Sequence, residues 1–324
     1  MEFDINRPVL LAGPTGSGKS ALALEIAATA NGCVINADAL QVYDCWRILT
    51  ARPHPEALAR CPHRLYGHIG INEPYSVGRW LREVTDILAE CRTRRQLPII
   101  TGGSGLYFTA LTDGLAEIPP IPAGIRREGN RIRDESPERF ADELRAADPG
   151  TAAVIDLANP ARTQRAWEVL AATGIGLRQW HQSATRPLLP VAGTLAVVID
   201  APPAWLNPRI DRRFDDMIRA GAVDECRAVL ASGYDPAKPS CQALGVRELV
   251  AFIRGQQSLM ECVEQAKTRT RQYARRQRNW YRRRMSDWPR IPAGSGLTDL
   301  AEAGLSNVQP AHFDVDDYER LKRD

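Results

Sequence analysis

Apolar residues occur along this chain either in short continuous runs or at helical spacing. Short runs at 7–13, 33–38 and 96–103 predict buried strands, because the strands of a parallel sheet are apolar on both faces. The segments 21–32 and 76–94 have apolar residues at the spacing of a helix with one buried face. Strands that alternate with helices in this way predict a parallel sheet with right-handed crossovers.

The pattern changes after Gly114, where a proline-rich stretch begins. Charged segments at helical spacing follow at 124–134, 136–147 and 160–173, and no strand pattern separates them. The apolar run 195–200 then predicts another buried strand, which we expect to rejoin the sheet.

One glycine-rich motif follows the first predicted strand and precedes the first predicted helix. It matches the Walker A pattern and consists of Gly13, Pro14, Thr15, Gly16, Ser17, Gly18, Lys19 and Ser20. Glycines let backbone N–H groups approach a phosphate, and the helix dipole adds positive potential. Lys19 supplies a charge, and the Ser20 hydroxyl is placed to bind Mg²⁺. The motif predicts a phosphate site without identifying the compound bound there.

These elements predict a P-loop NTPase-like α/β fold. We expect a parallel sheet flanked by helices, a helical insertion domain and a helical C-terminal region. The predicted core comprises 1–114 and 191–290, with helical patterns at 203–232 and 245–284. The predicted insertion is 115–190, and a weakly patterned C-terminal tail occupies 291–324.

Composition excludes several classes of protein. The 324 residues are 44% hydrophobic and 25% charged, as in a globular enzyme of about two domains. No run of about 18 apolar residues is present, so we expect no membrane span. Acidic Glu2 and Asp4 argue against a secretory signal. The seven cysteines form no CxxC pair, which predicts reduced thiols in a cytoplasmic protein and no zinc site.

The net charge of +3 is uninformative, but its distribution is not. The stretch 265–286 contains no acidic residue and the following basic ones: Lys267, Arg269, Arg271, Arg275, Arg276, Arg278, Arg282, Arg283 and Arg284. Four of them share one helical face by their spacing: Arg271, Arg275, Arg278 and Arg282. This excess indicates a polyanionic partner, and the alternative is a solvated basic face.

Asp38 ends the second predicted strand, about twenty residues after the phosphate motif. Ligands of open parallel sheets bind at the carboxyl ends of the strands, so we expect this carboxylate beside the phosphate site. There it can accept a proton from a nucleophile. The alternative is a helix N-cap. Gln41 and Tyr43 follow at a spacing that suits the same site, although Tyr43 suits the core equally well.

Further motifs complete a resemblance to one family, the bacterial tRNA dimethylallyltransferases (tRNA isopentenyltransferases). In family order within about 8–285, the motifs are GPTGSGKSALALEIA, INADALQVYDCWRILTARP, PHRLYGHIGINEPYSVGRW, PIITGGSGLYFTALTDGLAEIP, NPARTQRAWEVL, RIDRRFDDMI, SCQALGVREL and TRQYARRQRNWYRR. The resemblance implies transfer of a dimethylallyl group from dimethylallyl diphosphate to the exocyclic amine of the adenine 3′ of the anticodon in tRNA. Diphosphate is released.

The resemblance also implies a role for individual residues. Asp38 matches the general base, while Lys19 and Arg213 match cations that hold the diphosphate, with Mg²⁺ on Ser20. In the motif around Asp38, Ala39 stands where the family has serine. The expected tRNA-binding residues are Asp38, Ala39, Leu40, Gln41, Ser104, Arg126, Arg162, Thr163, Gln164, Arg165, Ala166, Gln242, Arg247, Arg275, Arg276, Arg278 and Arg282, to which the helical spacing adds Arg271.

Two other functions remain open on the sequence alone. A P-loop kinase that uses ATP on a small molecule would employ Asp38 as a base toward a hydroxyl, and ATP–Mg²⁺ would stabilise it. A nucleic-acid-binding module would bind RNA without adding mass to it. For the transferase we expect a cytoplasmic monomer whose partners are the tRNA anticodon stem-loop and dimethylallyl diphosphate.

Overall fold

The computed structural model describes residues 3–183 and 186–303. Its sheet has six parallel strands in the order β3-β2-β4-β1-β5-β6. The strands are β1 Val9–Ala12, β2 Gly32–Asn36, β3 His63–Arg64, β4 Leu97–Gly102, β5 Leu195–Asp200 and β6 Arg290–Pro292. Helices flank the sheet, so the predicted fold class is confirmed.

Helices occupy most of the remaining described chain. They are α1 Lys19–Thr29, α2 Pro55–Arg60, α3 Val77–Thr93, α4 Gly105–Asp113, α5 Ala123–Glu135, α6 Glu138–Ala147, α7 Pro149–Ala152, α8 Pro160–Thr173, α9 Leu177–Gln182, α10 Pro203–Arg219, α11 Ala222–Ala231, α12 Val246–Ile253, α13 Leu259–Arg284 and α14 Leu297–Glu302. Short 3₁₀ turns lie at Val191–Gly193 and Pro239–Gln242. The helices predicted at 124–134, 136–147 and 160–173 are confirmed.

The core explains why the central strands are continuously apolar. β1 is fully buried between β4 and β5, and Val9 is paired with both Ile99 and Leu195. From α1, Leu22 and Ile26 are one turn apart and pack into the same apolar cluster. The phosphate motif therefore begins at the end of a buried strand that is paired on both sides.

The chain divides into two compact units. The first consists of Met1–Thr112 and Leu189–Asp324 and contains the sheet. The second is Asp113–Leu188 and contains α5 to α9, with a small apolar core around Leu144, Val169 and Leu177. The insertion predicted from the sequence, 115–190, is offset from this unit by two residues at each end.

The predicted tail needs correction. The expectation that 195–200 rejoins the sheet is confirmed by β5, but β6 pairs with β5 in turn through Ile199 and Ile291. Leu300 on α14 is completely buried. Part of the predicted tail thus belongs to the core, and residues 304–324 lie outside the described residues.

All seven cysteines lie among the described residues and are free thiols. Within residues 3–183 and 186–303, every helix is too short or too polar to cross a membrane.

Replacing Leu300 tests whether α14 stabilises the fold. We expect Leu300→Ala to lower the free energy of unfolding by about 2–5 kcal/mol, because it leaves a cavity in the core. Chemical denaturation measures this. Leu58→Ala is the control, because that side chain is 47% exposed and should cost about 0.5 kcal/mol or less. Equal stabilities for the two variants would contradict the assignment of α14 to the core.

Candidate active site

The phosphate loop runs from the end of β1 to the start of α1. Gly16 and Gly18 have φ angles of +81° and +95°, which side chains rarely tolerate, so both positions favour glycine. Gly18 is the N-cap of α1 and no side chain caps the helix there. The first N–H groups of α1 are therefore left to bind an anion, as the Walker A motif predicts.

Lys19 interacts electrostatically with Asp38 and Arg213, the two other predicted catalytic residues. Its Nζ donates to Pro14 O at 3.3 Å. Burial lowers the pKa of Lys19 to about 8, the Asp38 carboxylate opposes this shift, and the Arg213 guanidinium adds to it. Lys19, Asp38 and Arg213 are thus close enough to influence one another, as expected from the sequence.

The turn after β2 holds Asp38. Its N–H donates to Asn36 Oδ1 at 2.8 Å, and Asn36 Nδ2 donates back to Asp38 O at 3.0 Å. Asp38 Oδ1 accepts a hydrogen bond from Leu40 N at 3.0 Å. Turns rather than a helix follow, so the N-cap alternative is wrong. Asp38 Oδ2 accepts no hydrogen bond from the described residues and is available to a substrate.

Arg213 lies on α10 and lines a pocket together with Asp38 and Thr15. Burial lowers the pKa of Arg213, Asp38 opposes the shift, and Arg209 adds to it. The other lining residues are Leu40, Leu49, Thr50, Ile210, Phe214, Met217, Ala243, Leu244, Thr270 and Tyr273. The pocket therefore combines a carboxylate and a cation with a largely apolar wall.

Ser104 is brought next to Asp38. Its Oγ accepts a hydrogen bond from Ala39 N at 2.9 Å, so the turn after β4 and the turn after β2 are joined. Gln41 lies nearby, but its Nε2 donates to Thr50 O at 2.7 Å and to Ala51 O at 3.2 Å. Tyr43 is buried and belongs to the core rather than to the site.

Two buried residues of α13 touch the same turns and were not singled out by the sequence. Gln277 Oε1 accepts from Thr15 N at 2.9 Å, while its Nε2 donates to Gly103 O at 2.8 Å. The Tyr281 hydroxyl is 2.9 Å from Gly103 O and 3.2 Å from Gly13 O. One feature of the sequence could have pointed to them: Gln277 and Tyr281 are four residues apart and so share one face of the helix, while the arginines around them occupy other faces.

The basic face of α13 is smaller than predicted. Arg271 forms an ion pair with Asp211 at 2.5 Å, so less of its charge is available to tRNA than the sequence suggests. Acids from other helices also pair with Lys267 and Arg269. Exposed arginines remain on the outer face of α13, namely Arg275, Arg276, Arg282, Arg283 and Arg284, while Arg278 is half-buried.

Several predicted tRNA-binding residues lie in the second unit. Arg126 forms an ion pair with the buried Glu168 at 3.0 Å. Arg162 is exposed and Arg165 is half-buried. The side chains of Thr163, Gln164 and Ala166 are buried within this unit, so they have almost no surface to offer tRNA, and that expectation needs correction.

The remaining predicted residues lie beside α12 and at its start. Gln242 and Arg247 are both exposed. Gln242 Nε2 donates to Pro236 O at 2.5 Å. Both side chains are therefore accessible to a macromolecule.

A metal site made by the protein alone is absent from residues 3–183 and 186–303, where no cluster of His, Cys, Asp and Glu could hold an ion. Ser20 is exposed in the first turn of α1. A single hydroxyl fits Mg²⁺ only if phosphate oxygens and water complete the coordination, which is the usual arrangement for this ion.

A buried parallel strand, a Walker A loop and a carboxylate at the carboxyl edge of the next strand define the class of α/β proteins with a phosphate-binding loop. The family model described as IPP transferase matches residues 41–284. The chain belongs to this family. This gives no support to the kinase alternative.

Relatives and solved structures agree over most of the chain. The tRNA dimethylallyltransferase of Dinoroseobacter shibae is 52% identical over 90% of this chain and 96% of the relative. That of Roseobacter denitrificans is 53% identical over 87% and 97%. A eukaryotic dimethylallyltransferase acting on tRNA has a TM-score of 0.79 at 25% identity, covering 98% of this chain and 84% of the other. A tRNA isopentenylpyrophosphate transferase from Bacillus halodurans has a TM-score of 0.65 at 25% identity, covering 98% and 100%.

The lowered pKa of Lys19 predicts a pH-dependent affinity for anions. We expect binding of inorganic pyrophosphate to weaken about tenfold from about pH 7 to about pH 9, because neutral Lys19 must first take up a proton. Calorimetric titration measures the affinity. Lys19→Arg is the control, since its charge does not titrate in this range while the titration of the ligand is unchanged. Parallel profiles for the two proteins would contradict the prediction.

Proposed function

We propose that the chain transfers a dimethylallyl group from dimethylallyl diphosphate to the exocyclic amine of the adenine 3′ of the anticodon in tRNA. The C–O bond of the donor breaks, a C–N bond forms, and diphosphate leaves with the electron pair. The observation that carries the proposal is the convergence of Lys19, Arg213 and Asp38 beside an apolar pocket.

The cations act on the leaving group. Negative charge grows on the diphosphate as the allylic bond ionises, and Lys19, Arg213 and the N–H groups of the loop are already in place to bind it. Each such preorganised donor lowers the activation barrier by on the order of 3–4 kcal/mol. The apolar wall of the pocket, including Leu49 and Phe214, suits a branched hydrocarbon.

Asp38 acts on the nucleophile. The amine of adenine is a poor nucleophile because its lone pair is delocalised into the ring. A carboxylate with one uncommitted oxygen can accept the proton as the new bond forms. The adenine must first leave its stack, which costs a few kcal/mol and less in a loop than in a duplex.

Mg²⁺ is part of the proposal. Ser20 would hold it together with the diphosphate, and the ion would neutralise charge on the leaving oxygens. We further propose that the chain works as a monomer in the cytoplasm. The decisive experiment incubates it with dimethylallyl diphosphate, Mg²⁺ and unmodified tRNA, followed by nucleoside mass spectrometry. A five-carbon gain on one adenosine supports the proposal, and RNA binding without that gain overturns it.

Asp38→Asn tests the general base. We expect turnover to fall about a hundredfold or more, because the amide cannot accept the proton, while tRNA affinity changes less than about twofold. The Asn side chain can still accept the hydrogen bond from Leu40 N, so the turn should be preserved. Single-turnover rates and tRNA titrations measure the two effects. Asp44→Asn, at an exposed position nearby, should retain full activity. Full activity in Asp38→Asn would exclude this role.

The exposed arginines of α13 predict a salt effect. Replacing Arg275, Arg276 and Arg282 together with glutamine should weaken tRNA binding and reduce the slope of log affinity against log salt by about 2–3. Arg271→Gln should leave the slope nearly unchanged, because Asp211 already neutralises that charge. Filter binding over a salt series gives both slopes. A triple variant with the wild-type slope would remove this helix from the RNA interface.

A further inference from the structure

The active site depends on three turns that come from separate parts of the chain. The phosphate loop follows β1, Asp38 follows β2, and Ser104 follows β4. Transfer requires that the leaving group and the base keep a fixed separation, since the adenine amine must lie between them. Displacement of a reacting group by about 1 Å can cost about a hundredfold in rate. Something must therefore hold these turns together.

Two side chains of α13 contact the backbone of Gly103, in the turn after β4. The Gly103 carbonyl is 2.8 Å from Gln277 Nε2 and 2.9 Å from the Tyr281 hydroxyl. A Cβ added at Gly103 would lie 2.3 Å from Gln277 Nε2 and 3.4 Å from Asp38 Oδ2. The absence of a side chain therefore lets α13 approach the turn that neighbours Asp38. The next residue, Ser104, extends the connection to Ala39.

The same two side chains reach the phosphate loop. Gln277 accepts from Thr15 N at 2.9 Å, and the Tyr281 hydroxyl is 3.2 Å from Gly13 O. Gln277 is 6% exposed and Tyr281 is 1% exposed, so solvent does not compete for these groups. Buried backbone groups of the loop are fixed by α13 instead of by water.

We infer that Gln277 and Tyr281 are positioning residues, which fix the phosphate loop against the turns that carry Ser104 and Asp38. This inference rests on the proposed function, whose reaction requires that separation. Neither side chain needs to touch the substrate. Their effect is on the rate of transfer and on the affinity for diphosphate, while the exposed arginines on the outer face of α13 contact RNA independently.

The test removes single hydrogen-bonding groups. Tyr281→Phe deletes only the hydroxyl, and Gln277→Met keeps the length of the side chain without its amide. We expect each to lower kcat about tenfold and to weaken pyrophosphate binding several-fold, with KM for tRNA within about twofold of the wild type. Because both groups act on the Gly103 carbonyl, the double variant should lose less than the product of the two single effects.

Tyr75→Phe is the matched control. It also removes a tyrosine hydroxyl that donates a hydrogen bond, here to Glu83 Oε2 at 2.5 Å, at a position outside the three turns. It should lower thermal stability about as much as Tyr281→Phe but leave kcat and pyrophosphate affinity unchanged. A purely structural role for Tyr281 predicts the same kinetics in both variants, and that result would overturn the inference.

The two proposals fail in different ways. A wild type that adds no dimethylallyl group would refute the proposed function, whereas equal pyrophosphate affinities in the wild type, Tyr281→Phe and Gln277→Met would refute the positioning role. A rise in KM for tRNA with kcat unchanged would also overturn it, since that pattern indicates a contribution to RNA binding alone.

Discussion

Two cations held close together in a partly buried site are the constraint on which the rest of the structure depends. Lys19 and Arg213 each have a lowered pKa, because burial disfavours their charged forms. Repulsion from Arg213 lowers the pKa of Lys19 further, and repulsion from Arg209 lowers that of Arg213. Asp38 is the carboxylate that opposes both shifts. The proposed diphosphate would supply the missing negative charge, so its binding would relieve an unfavourable arrangement that the fold maintains in advance. This is preorganisation in the electrostatic sense.

The fold maintains it by placing each group on a rigid element. The loop that carries Lys19 follows β1, which is buried on both sides. Arg213 lies on α10, where the adjacent residue Phe214 is buried in the core. Asp38 depends on Asn36, a buried amide whose hydrogen bonds define the turn. Each group is therefore anchored by a buried strand, a packed helix or a hydrogen-bonded turn.

Much of this arrangement could be predicted from the sequence, and the rest shows where such reasoning ends. β1, β2, β4 and β5 were predictable because each lies in a continuous apolar run of four or more residues, whereas β3 and β6 have two and three residues and leave no such pattern. The carboxylate beside the phosphate loop follows from the topology of parallel sheets. The partner of Arg271 was not predictable, because Asp211 lies 60 positions away on another helix.

The basic helix shows the same limit most clearly. Counting arginines identifies a polyanion-binding surface but cannot tell an exposed guanidinium from one that is already paired. Nor does it reveal that Gln277 and Tyr281, lying between those arginines in the sequence, point the other way into the protein. We propose two tasks for α13 that the linear pattern merges: its outer face, with Arg275 and Arg276, would contact RNA, and its inner face would order the turns of the active site. The two tasks are compatible because α13, which is 26 residues long, packs against α10 and α12. This packing holds its inner face in place while its outer face is left open to a partner.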